Sequence, residues 1–410
     1  MVYTSSVIDN LAIFGGKPTF SEKLHVGRPN EVNRQKLFER LNLMLDRNQL
    51  TNRGPMVREL EKKIADMVGV KHCIAMCNGT VALEIAIRAL DLSGEVILPS
   101  LTFIATAHAL QWQQITPVFA DIDPHTYTLD PKQVEKMITP KTSGIIGVHL
   151  WGRPCDIHGL EKIAKKYSLK LLFDAAHAFG CTYGKKSIGG FGEIEVYSFH
   201  ATKFFNTFEG GAVLTNNDDL AKKVRLMQNF GFGGLDKVIY IGTNGKMNEA
   251  SAAMGLTSLE NLDNILIKNK SNYFQYKQEL ENIPGIKLLE YPDYGKSNYQ
   301  YVVLAINESE SGLSRDEIMS ILHHENVIAR RYFYPGCHRM EPYRSFFPNA
   351  GLMLKETEKA TERVLLLPTG TAIGKMQIYK ICNLLKHLVN NSFEIKERLT
   401  QKNVGKVLVS

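Results

Sequence analysis

The chain has 410 residues, of which 44% are apolar and 22% charged, and its formal net charge is +7. This length exceeds that of one simple core, so two or three domain-sized units are expected. The basic residues are scattered, with only short clusters at Lys165-Lys166 and Lys185-Lys186. Such a distribution argues against a nucleic-acid-binding surface and favours a mild attraction to anionic ligands such as phosphates.

The cysteines, the N-terminus and the hydropathy bear on where the protein works. The six cysteines form no CxxC pair and no Cys/His spacing typical of a metal site, so we expect reduced thiols in a reducing compartment and no bound metal. The first ten residues, MVYTSSVIDN, lack the basic region and apolar run of a secretion signal. No stretch approaches the roughly 18 apolar residues of a membrane span. We therefore expect a cytoplasmic protein.

The N-terminal region is predicted to be an irregular arm followed by two helices. Residues 1–30 contain turn residues such as Gly15-Gly16, which favour an arm lying on the surface or on a partner subunit. Apolar residues recur with a helical period at residues 31–46 and again at residues 57–68.

Short apolar runs and amphipathic segments then alternate. The predicted strands cover residues 73–76, 95–98, 117–120, 144–149, 170–173, 194–197 and 212–215, and the predicted helices between them cover residues 81–90, 105–113, 134–138 and 157–167. Strands that alternate with helices indicate an α/β fold with a mainly parallel sheet covered on both faces. Ligands in such sheets bind beyond the carboxyl ends of the strands.

The second half of the chain is expected to hold a smaller α/β domain. A helix at residues 219–228 is followed by a glycine-rich loop at residues 231–245 and a long helical stretch at residues 248–280. Beyond it we predict strands at residues 299–306 and 327–332, with helices at residues 314–324 and 375–389. The predicted division is an arm at 1–30, a large domain at 31–260, a small C-terminal domain at 261–392 and a poorly ordered, basic tail at 393–410.

Lys203 is the strongest candidate for a reactive side chain. It lies in the segment SFHATKFFNTFEGG, between two predicted strands, beside the hydroxyls of Ser198 and Thr202. A lysine that is partly desolvated among polar groups can lose its proton and form a Schiff base with a carbonyl. The alternative interpretation is a surface lysine after a strand.

Two other features suggest where a phosphate and a charged ring could bind. Gly79 and Thr80 open a predicted helix, and the free N–H groups of a helix N-terminus bind phosphate, although the same residues could simply begin a capped helix. Asp174 ends an apolar strand, where a carboxylate could keep a pyridine nitrogen protonated; the alternative is a helix cap.

An aromatic residue completes the set of candidate groups. Phe103 follows the predicted strand at residues 95–98 and could stack on a flat cofactor, or could belong to the core. The order along the chain is a phosphate-binding helix start, a stacking aromatic, a strand-end aspartate and, about thirty residues later, the lysine. This order favours pyridoxal 5′-phosphate (PLP) in an aspartate-aminotransferase-like fold (fold type I).

Several motifs resemble the DegT/DnrJ/EryC1/StrS sugar aminotransferases. They are CNGTVALEIAIRAL, LPSLTFIATAHAL, FDAAHAFG, SFHATKFFNTFEGGAV and GTNGKMNEASAAMGL. The similarity extends from about residue 27 to residue 369. The segments TNRGP, ALQWQ, HLWGRPCD and FHATK are most similar to aminotransferases that act on C4 of dTDP-4-keto-6-deoxyglucose, of the desosamine and viosamine type.

The resemblance implies a role for each candidate residue. Lys203 would hold PLP as a Schiff base, Asp174 would pair with the pyridine nitrogen, and His177 would lie on the O3′ side. The remaining implied contacts are stacking by Phe103, phosphate binding by Gly79, Thr80 and Ser198, a reach to the neighbouring subunit's cofactor phosphate by Asn248, and substrate contacts by Tyr332 and Tyr334. It also implies a homodimer with shared active sites, to which the arm and the loop at 231–245 could contribute, and glutamate as amino donor.

These features predict a PLP-dependent aminotransferase that moves an amino group from glutamate to a nucleotide-linked keto sugar. The expected reaction converts dTDP-4-keto-6-deoxy-D-glucose into dTDP-4-amino-4,6-dideoxy-D-glucose, for a surface polysaccharide or a secondary metabolite. The alternatives are a different keto sugar (C3 keto, or UDP- or GDP-linked), a sugar dehydratase, and a non-catalytic protein that binds nucleotide sugars. Related dehydratases carry histidine in place of the Schiff-base lysine, so the intact Lys203 favours transamination.

Overall fold

The structure is a computed structural model that describes residues 7–407, with side chains described for residues 8–401. Its strands, in chain order, are β1 (Leu24–His25), β2 (His72–Met76), β3 (Glu95–Pro99), β4 (Thr116–Ala120), β5 (Thr142–Val148), β6 (Lys170–Asp174), β7 (Thr182–Tyr183), β8 (Lys186–Ser187), β9 (Ile194–Ser198), β10 (Gly211–Thr215), β11 (Phe232–Gly234), β12 (Lys237–Val238), β13 (Ile286–Leu288), β14 (Val302–Ile306), β15 (Val327–Ile328) and β16 (Val364–Leu367).

The helices cover both faces of the sheets and link the two parts of the chain. They are α1 (Arg34–Asp46), α2 (Pro55–Val68), α3 (Gly79–Ala89), α4 (Ile104–Gln111), α5 (Pro131–Lys136), α6 (Ile157–Tyr167), α7 (Asp218–Met227), α8 (Glu249–Glu260), α9 (Leu262–Glu279), α10 (Glu308–Ser311), α11 (Arg315–His324), α12 (Tyr343–Phe346), α13 (Lys355–Arg363), α14 (Lys375–Asn390) and α15 (Ser392–Val407). Among the residues described, none of these helices has the length and apolar character needed to cross a membrane.

A seven-stranded sheet carries the site, in the order β2-β10-β9-β6-β5-β3-β4. Strand β10 runs antiparallel to both of its neighbours, and the other pairings are parallel. Parallel strands need crossover connections, which α4, α6 and other helices provide. The predicted mainly parallel α/β sheet is therefore confirmed. The carboxyl ends of β3, β5, β6 and β9 meet at one edge, where ligands bind in such sheets.

Alternation of side chains along the strands produces a core on each face of this sheet. In β6, Leu171 and Phe173 belong to one buried cluster and Leu172 to the other, because successive side chains of a strand point to opposite faces. The helices α2, α6 and α8 contribute to the first cluster, and α3, α4 and α7 to the second. Both faces of the sheet are therefore packed mainly with apolar side chains.

The C-terminal part has its own sheet and core. Strands β13, β14 and β16 form an antiparallel three-stranded sheet, and its buried cluster includes residues of α9, α11 and α14. The helical stretch predicted at residues 248–280 is two helices, α8 and α9, separated at Asn261. The predicted strand at 327–332 ends at Ile328, after which the chain makes only the single bridge of Arg330 with Leu366.

The described part of the predicted N-terminal arm packs against the C-terminal part of the same chain. Its apolar residues Ile8, Leu11 and Ile13 are buried. The Glu325 carboxylate accepts hydrogen bonds of 2.7 Å from the backbone amides of Ala12 and Thr19, and β1 pairs with β15. The arm therefore lies on its own chain, and a contact of the arm with a partner subunit stays a prediction. The arm is held by a set of contacts about 300 residues apart in sequence, which no local pattern reveals.

The prediction of a poorly ordered tail at residues 393–410 is wrong as far as residue 407, because residues 392–407 form helix α15; residues 408–410 lie outside the described part of the chain. Ile395 is fully buried in the C-terminal core, and Leu399, one turn later, packs against the same cluster. Two apolar residues four positions apart lie on one helix face. Burial of that face favours the ordered helix, although the rest of the segment is polar. The domain boundaries proposed from the sequence stay a prediction.

We predict that Ile395→Ala lowers the free energy of unfolding by about 2–5 kcal/mol, because it leaves a cavity in a packed core. Urea unfolding of the cofactor-free protein measures the change. Phe393 lies on the same helix but is 82% exposed, so Phe393→Ala is the matched control and should shift stability by no more than about 0.5 kcal/mol. Equal effects of the two substitutions would contradict docking of α15.

Candidate active site

A cavity of about 340 Å³ opens at the carboxyl edge of the seven-stranded sheet. This is the size range of small-molecule sites. Its lining combines residues at the strand ends with residues of the C-terminal part, and includes Gly27, Asn78, Gly79, Thr80, Thr102, Phe103, His149, Asp174, His177, Ser198, His200, Thr202, Lys203, Glu209, Tyr301, Arg330, Tyr332 and Phe333. The candidate nucleophile, acid, aromatic ring and phosphate-binding residues are therefore brought together in one place.

Lys203 lies on the connection between β9 and β10, as the sequence predicts. Its backbone N–H donates to the carbonyl of His200 at 2.9 Å, and the buried Phe204 and Phe205 follow it, so the segment is held against the core. Burial lowers the pKa of the Lys203 amine to about 8, although the negative charge of Asp174 opposes this shift. A much larger share of the neutral, nucleophilic form is therefore present near neutral pH than for an ordinary lysine.

Asp174 is buried at the end of β6 and held by two hydrogen bonds. Its Oδ2 accepts from the Thr106 hydroxyl at 2.8 Å, and its Oδ1 accepts from the Ala176 N–H at 3.1 Å. Burial raises the pKa of this carboxyl group, while the two hydrogen bonds and the positive charge of Lys203 act in the opposite direction. Asp174 is thus a fixed acceptor that gains from any further positive group placed in the cavity.

His177 is a neutral hydrogen-bond donor facing the same cavity. Its Nδ1 accepts the backbone N–H of Trp151 at 3.2 Å, so the proton of the neutral ring lies on Nε2. Its ring stacks on Phe333, with centroids 5.8 Å apart and planes 14° apart. Burial lowers the pKa of His177 well below its usual value, and the charge of Lys203 adds to this effect.

The start of helix α3 forms the anion-binding end of the cavity. Because β10 pairs Gly211 with both Met76 and Ser198, the residues that follow Met76 lie beside Ser198. A Cβ atom added at Gly79 would lie 2.9 Å from the Cβ of Ser198, so glycine permits this close approach. Asn78 caps the helix through the Val81 N–H at 2.8 Å. The first amides of the helix and the Ser198 hydroxyl can therefore bind the same anion.

Phe103 presents an apolar face to the cavity. Although large apolar side chains are usually buried, Phe103 is 56% exposed, and its ring centroid lies 5.8 Å from that of Phe333. A flat ring lying between this aromatic side chain and the sheet would remove that surface from water. The interpretation of Phe103 as a core residue does not agree with this exposure.

Two of the predicted residues lie outside the cavity. Tyr332 lines the cavity, but Tyr334 lies in a second groove, where its ring contacts Arg315 and Arg331 at 5.0 and 4.0 Å. Asn248 is exposed at the start of α8, caps it through the Ser251 N–H at 2.8 Å, and lies outside the cavity. The predicted roles of Asn248 toward a partner subunit and of Tyr334 toward substrate stay predictions.

Sequence reasoning missed several residues of the site. Thr106, which holds Asp174, lies one turn after Phe103, so a helical period starting at Phe103 could have indicated it. Gly27 belongs to the predicted arm, has a φ of +76° and packs its backbone against Thr202. Tyr301 and Arg330 reach the cavity from the C-terminal part, and no local pattern signals their approach.

A comparison with protein families completes this picture. The model of the DegT/DnrJ/EryC1/StrS aminotransferase family matches residues 32–386. The chain belongs to this family. The resemblance inferred from the motifs is thereby confirmed, and so is the assignment of the chain as an aminotransferase.

Individual relatives agree with the family assignment. The dTDP-4-amino-4,6-dideoxy-D-glucose transaminase of Shigella dysenteriae is 38% identical over 93% of this chain and 100% of its own length. The transaminase of the same name from Escherichia coli is 36% identical over 82% of this chain and 91% of its own length. A crystal structure of DesI, determined in the presence of its TDP-sugar product, is 46% identical, superposes with a TM-score of 0.91, and covers 96% of this chain and 100% of that one.

We predict that the Lys203 amine of the cofactor-free protein titrates near pH 8. Reductive methylation at a series of pH values, followed by mass spectrometry of the Lys203 peptide, measures this titration, and the urea-unfolded chain should give the ordinary value of about 10.4. Asp174→Asn should move the midpoint lower still, because it removes the negative charge that favours the protonated amine. A raised midpoint in Asp174→Asn, or a native midpoint near 10, would contradict the coupling of the two groups.

Proposed function

We propose that the protein is a PLP-dependent aminotransferase that transfers the amino group of glutamate to C4 of dTDP-4-keto-6-deoxy-D-glucose, giving dTDP-4-amino-4,6-dideoxy-D-glucose. The observation that carries the proposal is the presence of the Lys203 amine and the Asp174 carboxylate in one cavity that begins at a helix N-terminus. The names of the relatives from Shigella dysenteriae and Escherichia coli support the choice of sugar.

The residues of the cavity fit PLP along its whole length. The Gly79 and Thr80 amides and the Ser198 hydroxyl suit the phosphate, since a side chain at Gly79 would fill the space between them. Asp174 suits the pyridine nitrogen, the Nε2–H of His177 suits the phenolic oxygen, and Phe103 covers one ring face. When bound, PLP supplies an aldehyde that bonds to amines and a protonated ring that accepts electrons as bonds at the amine-bearing carbon break.

Lys203 is the residue that moves protons in this scheme. With PLP bound, the Lys203 side chain would hold the cofactor, and its amine, when free, would take a proton from the donor carbon and later give it back. A pKa of about 8 suits both directions, because an acid–base group works best near the operating pH. Asp174 holds the positive charge on the ring nitrogen, and its hydrogen bond from Thr106 keeps the carboxylate oriented.

Arg330 is the group that supports an amino acid as donor. Of the described residues that line the cavity, only Arg330 and Lys203 are arginine or lysine. The Arg330 guanidinium lies 5.2 Å from the Tyr332 ring and forms no ion pair within residues 8–401, whereas Arg331 lies 2.9 Å from Asp316. A guanidinium binds a carboxylate through two parallel hydrogen bonds, which suits the α-carboxylate of glutamate.

The proposed homodimer is supported by an exposed apolar surface. The hairpin of β11 and β12 and the residues beside it expose apolar side chains. Leu235 is 98% exposed and Ile241 73% exposed, and Phe230 and Phe232 are also accessible. Contiguous exposed apolar residues mark association surfaces, and a second copy of the chain is the partner that the family predicts. The exposed Asn248 could then contact the partner's site.

We predict that the purified protein with PLP forms 2-oxoglutarate from glutamate and a C4-amino sugar from dTDP-4-keto-6-deoxy-D-glucose. Mass spectrometry against a panel of dTDP-, UDP- and GDP-linked C3- and C4-keto sugars identifies the preferred acceptor. Lys203→Ala should lower turnover by at least about 10³-fold and abolish the visible absorbance of the lysine-bound cofactor. Formation of 2-oxoglutarate with a different sugar would change the acceptor that we propose. Release of ammonia without an amino donor would refute transamination.

We predict that Arg330→Gln raises the KM for glutamate by about 10–100-fold, because a charge-assisted contact to the carboxylate is lost. Binding of the nucleotide sugar, measured by calorimetry, should change little. Arg331→Gln is the matched control, since Arg331 is adjacent but directed to Asp316, and it should alter the KM less than about threefold. If Arg330→Gln instead weakened binding of the nucleotide sugar, Arg330 would bind the sugar's phosphates, and the carboxylate of the amino donor would bind elsewhere.

A further inference from the structure

A chain of hydrogen bonds joins Ser100, His338 and Glu358, next to the loop that carries Phe103. The Oγ of Ser100 lies 2.6 Å from Nδ1 of His338, and Nε2 of His338 lies 2.7 Å from Oε1 of Glu358. Ser100 Oγ also accepts the backbone N–H of His338 at 3.0 Å. Ser100 and His338 are buried, so these bonds form in a setting where an unmet polar group is costly.

The donors and acceptors of this chain have one consistent direction. A carboxylate can only accept, so Nε2 of His338 carries the proton that Glu358 receives. Nδ1 then accepts the hydroxyl proton of Ser100. Burial lowers the pKa of His338, which favours this neutral form, although Glu358 opposes the shift.

The three residue types are those of a hydrolase triad, but the geometry excludes that function. In the triad the serine bonds to Nε2 and the acid to Nδ1, which is the reverse of the arrangement here. Ser100 is also fully buried, so no substrate can reach its hydroxyl. The chain of hydrogen bonds must therefore act through what it holds in place.

Ser100 begins the short loop between β3 and α4 that carries Phe103. The loop is tied to the C-terminal part by a second bond, in which the Cys337 N–H donates to the Ser100 carbonyl at 2.9 Å. From the same loop, the Thr102 hydroxyl bonds to Thr106 at 2.9 Å, and Thr106 bonds to Asp174. Whatever fixes Ser100 thus fixes two residues expected to contact the cofactor.

The other end of the chain is itself anchored to the large sheet. Glu358 lies on α13, and the N-terminus of α13 is held by Asp121, just after β4, which accepts from the Glu356 and Thr357 amides at 2.9 and 2.8 Å. His338 therefore lies between two points that are each fixed to the seven-stranded sheet. Such a support can hold a loop to a fraction of an ångström, which a ring-stacking contact requires.

We propose that His338 is a positioning residue that, through Ser100, holds the 100–103 loop so that Phe103 lies flat against the cofactor ring. The proposal rests on the proposed function, because it takes Phe103 as the stacking residue. It also links the two walls of the cavity, since the segment that carries His338 also carries Tyr332 and Phe333.

Two substitutions at His338 separate its two bonds. An asparagine oxygen can take the place of Nδ1 and accept from Ser100, whereas a glutamine nitrogen can take the place of Nε2 and donate to Glu358. We expect His338→Gln and Ser100→Ala to weaken PLP binding by about tenfold, and His338→Asn to weaken it by less than about threefold. The circular dichroism of the bound cofactor, which reports its orientation, should change in the first two variants and not in the third.

A readout that needs no cofactor keeps the test independent of the proposed function. The chain already holds Trp112 and Trp151, so the signal is the difference in emission between the Phe103→Trp variant and the matched protein that keeps Phe103. That difference, and its quenching by acrylamide, report the position of the loop. His338→Gln should alter both, and His338→Asn should restore them. His108 is the matched control, because its Nδ1 bonds to the Tyr343 hydroxyl at 2.8 Å and joins the same two parts of the chain, without touching the 100–103 loop.

The outcomes are distinct. If His338→Gln and His108→Asn lower thermal stability equally but neither changes the tryptophan signal or the dichroism, the bonds of His338 are only structural and the proposal is overturned. If His338→Asn is as defective as His338→Gln, the bond to Ser100 is not the one that matters, which also overturns it. Failure of the wild-type protein to bind PLP would refute the proposed function, while the tryptophan signal would still report the loop.

Discussion

The site depends on the electrostatic coupling of one buried amine and one buried carboxylate. Burial disfavours the charged form of both, so it lowers the pKa of Lys203 and raises that of Asp174, and each group opposes the shift of the other. Each group thus favours the charged form of the other within the cavity. The pair is poised, because any cationic ring placed against Asp174 takes over the stabilising role and leaves Lys203 free to lose its proton.

The order of the strands makes this coupling possible. Strand β6 lies beside β9, with Asp174 opposite Val196, so the acid and the Ser198 end of β9 come out at one edge. Strand β10 returns antiparallel and brings Ser198 next to the start of α3. The acid precedes the lysine by about thirty residues and follows the anion-binding amides by about ninety-five, yet three adjacent strand pairings bring all three together.

Local patterns were sufficient for the parts of the structure that depend on local physics. Short apolar runs between helical segments predicted the strands, and the strand-end position of Asp174 and the helix start at Gly79 followed from them. The docking of residues 7–25 could not be predicted in this way, because it depends on Glu325 and β15, which are remote in sequence. The roles of Arg330 and Tyr301 in the site were missed for the same reason, since a residue that reaches a site from another part of the chain leaves no periodic signal in the sequence.

The C-terminal part shapes the chemistry and does more than close one side of the cavity. Asn298 donates to the carbonyls of His177 and Phe179 at 2.9 and 3.1 Å, and Gln300 donates to the carbonyl of Thr202 at 3.0 Å. These bonds fix the segment that follows Asp174 and the residue that precedes Lys203. The Phe103 loop is tied to the same part of the chain through Ser100 and Cys337. A change in the packing of the C-terminal part would therefore reach the amine, the acid and the stacking ring together, because all three are held from that side.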